Sequence, residues 1–266
     1  MRDAIKDAVK NLAVKALPSL SLRVLSVRSR RLIESQARSL GLTTLARNIS
    51  AATGGKVAGG PFAGMKLDYE ALPVHAAPKF MGTYELEIHS CIERVIKVAP
   101  RRVVNIGCAE GFYAVGLAMR LPESQVFAAD ADPKAVRATL RNAELNNVRD
   151  RVHGVGIVRA GQFGRLLRSD LSFLIMDCEG AEFALLNPIS DPILLRTIIL
   201  VEVHPGFGSE SEIASRFFHS HRSQTFNQLS RSQGNIRSIP GIDLRLATDE
   251  RRGDDRWLYL DPISQQ

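Results

Sequence analysis

Short apolar runs alternate with amphipathic stretches through the middle of the chain. Arg102-Val103-Val104-Asn105-Ile106 is one such run, and Gln125–Ala129, Arg151–Val158, Leu171–Met176 and Thr197–Val203 are others. Each predicts a short strand, and because the runs are apolar throughout rather than at every second position, the strands are expected to be covered on both faces. Between them, Gly111–Met119, Pro133–Leu145 and a stretch opening at Ala181–Leu186 place apolar residues at helical spacing. Strands alternating with helices predict a parallel sheet with helices on both sides. Ahead of the first strand, Leu86, Ile88, Ile92, Val95 and Ile96 predict a helix over Tyr84–Val98.

The ends read differently. Ser209 and Glu212 form a capping-box start for a helix reaching about His219, which places His219 and His221 on a helix surface. Residues 235–247 and 256–260 are two further strand-like runs separated by the charged stretch Asp249–Asp255, which predicts a terminal hairpin. At the other end, Ala4, Ile5, Ala8, Val9 and Leu12 fall at helical spacing until Pro18, and a second helix is predicted over Leu22–Leu40, ending at Gly41. The Gly-rich stretch 53–64 reads as a linker, and 65–83, with Pro73 and Pro78, as loop. The division expected is a basic helical extension over 1–52, a linker and lead-in over 53–83, and an α/β domain over 84–266.

Charge changes this picture only at the N-terminus. Residues 1–60 hold 11 Lys and Arg against 3 Asp and Glu, whereas the rest of the chain holds 24 against 25. The α/β body is therefore near neutral, and no basic groove for nucleic acid is indicated. Arg28, Arg30, Arg31 and Arg38 among apolar neighbours fit a packed helix with solvated arginines, an oligomer contact, an acidic partner, or peripheral contact with an anionic membrane through 1–52. No stretch approaches the ~18 consecutive apolar residues a membrane span needs, and charges at Arg2, Asp3, Lys6 and Asp7 argue against a secretory signal. Three cysteines, Cys91, Cys108 and Cys178, without CxxC spacing fit buried free thiols and a cytoplasmic location better than a disulfide framework or zinc site.

The candidate chemistry centres on Asn105-Ile106-Gly107-Cys108-Ala109-Glu110-Gly111, which leaves a strand and enters a helix. Ligands of parallel α/β sheets bind outside the carboxyl ends of the strands, where this turn sits. The pattern is G-x-x-x-G rather than the G-x-G-x-x-G of dinucleotide sites, and no Walker Lys-Ser/Thr follows. Nineteen residues past Gly111, Asp130 ends the second strand, where an acid can accept both hydroxyls of a ribose. Asp132, directly before Pro133, is the better N-cap of the next helix. In this order the two motifs indicate an adenosine-type cofactor.

Three stretches resemble class I S-adenosylmethionine methyltransferases, and within them the FkbM-like family: Val103 to Tyr113, Asp130-Ala131-Asp132-Pro133, and Met176-Asp177-Cys178-Glu179-Gly180-Ala181-Glu182. Val201-Glu202-Val203-His204-Pro205 is similar to that family's strand-five ending. The resemblance spans roughly residues 84–260. It implies a Rossmann-like fold with a mostly parallel seven-stranded sheet and a C-terminal antiparallel hairpin. It also implies S-adenosyl-L-methionine as cofactor, held by Glu85, Asn105, Gly107, Cys108, Ala109, Glu110, Gly111, Phe112, Tyr113, Asp130, Ala131 and Asp177, and a hydroxyl on a small-molecule or sugar-like acceptor as the methylated group. The chain departs from that pattern in two places: Asn105 stands where the family has an acid, and Ile175 where it often has a Lys. No acid after the third strand is placed to hold an adenine amino group, which leaves backbone near Gly154 to Gly156.

A hydroxyl nucleophile must lose a proton, so the strand-tip residues Asp177, Glu179, Glu202 and His204 are the catalytic candidates. Glu179 and Glu182 also fit a helix N-terminus, which favours negative charge. No tight ligand spacing requires a metal; a divalent cation among Asp177, Glu179, Glu202 and His204 is the lesser reading. Two other functions stay open: a non-catalytic cofactor-binding scaffold acting through 1–52, and a nicotinamide oxidoreductase, which the missing third glycine disfavours.

Overall fold

A computed structural model describes residues 41–68, 76–167, 171–204, 206–229, 238–250 and 256–263. The helices predicted before Gly41, with their arginines, lie outside the described residues. Among those described, no helix is long and apolar enough to cross a membrane.

Helix α1 spans Leu42–Ala52 and α2 spans Ala76–Met81. A 3-10 turn at Leu86–Ile88 leads into α3, His89–Val98. The chain then alternates: β1 Arg102–Ile106, α4 Phe112–Arg120, β2 Gln125–Ala129, α5 Pro133–Leu145, β3 Val152–Val155, α6 Phe163–Leu166, β4 Ser172–Met176, α7 Glu182–Leu185, β5 Ile198–Val203 and α8 Glu210–Ser215. It closes with β6 His221–Phe226, α9 Leu244–Ala247 and β7 Arg256–Pro262.

The seven strands form one sheet in the order β3-β2-β1-β4-β5-β7-β6. β1 to β5 are parallel, and β7 runs antiparallel between β5 and β6. Strand order reverses between β1 and β4, so the chain leaves both carboxyl ends in opposite directions and opens a crevice there. The central strands β4 and β5 are buried along their whole length, as strands covered on both faces must be. One face, through Val103, Phe173 and Leu200, packs with Ile92, Val115 and Leu117 of α3 and α4; the other, through Val104, Leu174 and Val201, packs with Phe163, Leu186 and Phe217. Ala46 and Ile49 of α1, with Val57, Phe62 and Met65, are buried in the first of these clusters.

Four expectations need correction. The terminal hairpin is real, but its first strand is His221–Phe226, not 235–247; Leu244–Ala247 is a short helix, and 230–237 lie outside the described residues. His221 is accordingly a buried strand residue rather than a helix-surface one. The helix placed over Tyr84–Val98 begins only at His89, because Glu85 sits in the left-handed region (φ 51°) and the 3-10 turn intervenes. The stretch read as loop up to residue 83 contains α2, which tolerates Pro78 because that residue lies in the first turn, where an amide N–H has no intrahelical acceptor.

Candidate active site at the tips of β1, β4 and β5

The turn after β1 is fixed by its neighbours. Gly107 has φ +74°, and a Cβ there would stand 1.5 Å from the Asp177 carbonyl oxygen, so only glycine lets the exits of β1 and β4 touch. The Asp177 amide donates to the Ile106 carbonyl at 3.0 Å across the same junction, and the Gly111 amide donates to the Cys108 carbonyl at 2.7 Å, closing the turn into α4. Asn142 of α5 donates to the Glu110 carbonyl at 2.9 Å.

Asp130 binds this turn from β2. Its Oδ2 accepts the Ala109 amide at 3.0 Å and its Oδ1 accepts the Asp132 amide at 2.8 Å. Asp132 is the N-cap of α5, accepting the Lys134 amide, as its position before Pro133 suggested. The Asp130 side chain is partly exposed at the strand end. Ala131 beside it is exposed.

The crevice is lined by Asn105, Gly107, Cys108, Ala109, Glu110, Phe112 and Tyr113 from the β1–α4 junction and by Ile175 and Asp177 from β4. Lys79, Tyr84 and Trp257 complete it. Two buried polar atoms in this lining have no hydrogen-bond partner: Oδ1 of Asn105, which is 2% exposed, and Nε1 of Trp257, which is 1% exposed. Burying an acceptor and a donor unpaired carries a desolvation penalty of about 1–3 kcal/mol each. A ligand with an ammonium and a carboxylate would relieve both, which is the fit expected of an amino-acid moiety.

Glu85 stands behind the lining, fully buried; its carboxylate accepts a very short bond from the Tyr113 hydroxyl, and its amide donates to Glu250 at 2.9 Å. Lys79 and Glu110 form an ion pair at 2.5 Å with both side chains under a tenth exposed. The Lys79 ammonium lies 4.5 Å from the centre of the Tyr84 ring, and Tyr84 packs edge-on against Phe112 at 5.6 Å. Burial keeps the cysteines protonated: Cys91 is pushed up to about 11 and Cys108 to about 12, while Cys178 is raised by burial and by Glu182 and Asp177.

A second group lies where β4 and β5 end. The turn after Asp177 places Glu179 (φ 57°) and Gly180 (φ 102°) in left-handed conformations, and Phe207 packs where a Cβ of residue 180 would be. That reversal carries Glu182, the first residue of α7, back under the turn, where it is fully buried. Its Oε1 accepts the Cys178 amide at 3.1 Å and lies 2.9 Å from Nδ1 of His204. The opposite ring nitrogen of His204 is 3.7 Å from Asp177 Oδ1 and 3.9 Å from Glu179 Oε2. Burial pulls the His204 imidazole down, but the bond to Glu182 and the charges of Asp177, Glu182 and Glu179 outweigh it and push it up to about 9. Glu182 shows the reverse balance: burial raises it, and His204 with the nearby amides holds it below the usual carboxylate range.

The structure thus gathers Asp177, Glu179 and His204. Glu202 is buried in β5 opposite Trp257 of β7 and is not in that group. Sequence reasoning did not single out Lys79 or Trp257. No motif surrounds Lys79, and Trp257 reads as one more apolar residue of a strand.

A glycine turn after β1, an acid after β2, and an antiparallel last strand between β5 and β6 define a class I methyltransferase fold. Among known families, that of ribosomal protein L11 methyltransferase (PrmA) matches residues 86–163. The ribosomal protein L11 methyltransferase of Acinetobacter baylyi is 49% identical over 51 residues, 19% of this chain and 16% of that protein. Its counterpart from Synechococcus elongatus is 42% identical over 60 residues, 22% of this chain and 20% of that protein. The chain therefore aligns with a sixth to a fifth of these relatives' length. Similar solved structures include the O-methyltransferase of Bacillus cereus in complex with SAH (TM-score 0.43, 14% identity, 64% of this chain and 77% of that one). The O-methyltransferase TomG of Streptomyces achromogenes, in complex with SAM, is another (TM-score 0.43, 13% identity, 64% and 76%).

Proposed function

We propose that the chain is an S-adenosylmethionine-dependent methyltransferase acting on a hydroxyl of a small-molecule or sugar-like acceptor. The observation that carries the cofactor is the pair of unpartnered buried atoms, Asn105 Oδ1 and Trp257 Nε1, in a crevice at the strand-order reversal, one junction away from the Asp130 carboxylate. The sequence match over 86–163 supports the same half of the site, since it runs from the 3-10 turn before α3 to the start of α6 and contains the glycine turn and Asp130. It ends before β4 and so bears on the cofactor rather than on the acceptor.

When bound, the cofactor supplies a methyl group made electrophilic by its sulfonium sulfur. Asn105 accepts from the ammonium of its methionine portion, and Asp130 from the ribose hydroxyls. The protein's part would be to hold the acceptor oxygen against that methyl group in an orientation suited to attack. The proton lost by the hydroxyl goes to a carboxylate. Of the strand-tip residues Asp177, Glu179 and His204, Asp177 is the one that lines the crevice, so it is the acceptor of that proton.

The test is incubation of the purified chain and isotopically labelled S-adenosylmethionine with a metabolite extract and, separately, with ribosomal protein L11, followed by mass spectrometry. Label on a hydroxyl-bearing small molecule is the expected result. Label on the protein alone would replace the acceptor assigned here, and no labelled product, despite cofactor binding, would remove the catalytic reading.

A further inference from the structure

The spacing of acids and histidine in the sequence assigns no metal, yet folding brings three donors together. One atom each from Asp177, Glu179 and His204 lies within 4.8 Å of the others. At 3.7 and 3.9 Å, the contacts from His204 Nε2 are too long for hydrogen bonds. They approach the separation of adjacent donors around a small divalent ion, about 3 Å for ligand bonds of about 2.1 Å. The set is one imidazole and two carboxylates, which suits hard and borderline divalent cations.

An independent feature stands behind these donors. Glu182 is fully buried, its Oε1 is 2.9 Å from His204 Nδ1, and its Oε2 has no partner. A buried carboxylate on Nδ1 fixes the proton there and turns the Nε2 lone pair outward, which is how proteins orient a metal-ligating histidine.

We propose that Asp177, Glu179 and His204 bind a divalent cation of the Mn²⁺ type, with Glu182 as the positioning residue for His204. On binding, the Nε2 proton leaves to solvent, and the Nδ1 proton stays on the ring, donated to the Glu182 carboxylate. Three protein donors leave the remaining coordination positions to water. Asp177 also lines the crevice, so the ion sits at its rim, within reach of an acceptor oxygen. That last role rests on the proposed methyl transfer; cation binding itself does not.

The test is titration of the chelator-treated 266-residue chain with Mn²⁺ alone, free ion being followed by electron paramagnetic resonance. Wild type is expected to take up one equivalent saturably. E182Q should bind roughly ten- to hundredfold more weakly, and H204A and E179Q should also lose at least tenfold. Glu179 is 78% exposed, so E179Q keeps the fold and is informative even if a buried variant does not. E123Q, altering an exposed acid paired with Arg101 away from the cluster, should match wild type. No saturable uptake by wild type, or unchanged uptake by E179Q and H204A, would overturn the site. Calorimetry with S-adenosylmethionine on the same samples separates the two readings: cofactor binding without Mn²⁺ uptake removes the cation site alone, and the reverse outcome removes the cofactor reading alone.

Discussion

Asn105 holds a carbonyl oxygen in the protein interior with nothing to bond it, and that makes a distinctive prediction. Asn105→Leu removes the desolvated acceptor, so the free protein should unfold at an equal or higher denaturant concentration. The same change should weaken S-adenosylmethionine about tenfold in calorimetry, because the ammonium loses its acceptor. A variant less stable and equally good at binding would contradict the assignment. Asp130→Ala should weaken the cofactor by about ten- to hundredfold, equivalent to about 1.4–2.8 kcal/mol, through loss of the ribose contacts and of the support given to the Ala109 amide. Gly107, Gly111 and Asp132 were legible in the sequence, because a tight turn and a cap are local demands on one or two residues. The pairing of His204 with Glu182, 22 positions apart, was not, nor was that of Lys79 with Glu110, 31 apart. Each depends on which loop packs under which strand.

Secondary-structure elements divide along the same line. β1, β2 and α5 occupy the spans their patterns predicted, since buried parallel strands are apolar along their whole length and Asp132-Pro133 marks a helix start. β6 escaped notice because His-Arg-Ser-Gln-Thr-Phe is an edge strand, exposed over its four central positions, and carries no apolar signature. Its buried member is His221, whose ring lies 2.9 Å from the Thr197 carbonyl and 2.8 Å from the Ser220 hydroxyl. Burial depresses this histidine below its ordinary value, against the opposing pull of Thr197 and Asp261. The folded state therefore favours the neutral ring; its contribution to stability is full above the ordinary value of 6.5 and is lost as pH falls through the lower folded value. The melting temperature should drop between pH 7 and pH 5, and His221→Gln should flatten that drop; identical pH profiles would refute it. At the other end of the domain, α1 sends Ile49 into the core with no exposure. Ile49→Ala should cost about 2–5 kcal/mol in denaturant unfolding, whereas a cost under about 0.5 kcal/mol would show that α1 contributes little to the core.

At the scale of the whole molecule, the strand order places the site. Because the order reverses between β1 and β4, the Gly107 turn and the Asp177 turn leave adjacent strand ends and meet. The inserted β7 brings Trp257 beside them, and His204 directly follows the end of β5 at Val203. In the proposed reading, one half of this arrangement, from the glycine turn to Asp130, would hold the nucleoside, and the other, Asp177, Glu179 and His204, would face the methyl acceptor. The most direct test is isothermal calorimetry of the purified chain with S-adenosylmethionine and, in parallel, with a nicotinamide dinucleotide. Wild type should bind one equivalent of S-adenosylmethionine, Asp130→Ala should bind it clearly more weakly, and the dinucleotide should give no heat. Binding of the dinucleotide in preference to S-adenosylmethionine, or S-adenosylmethionine affinity unchanged in Asp130→Ala, would contradict the cofactor reading.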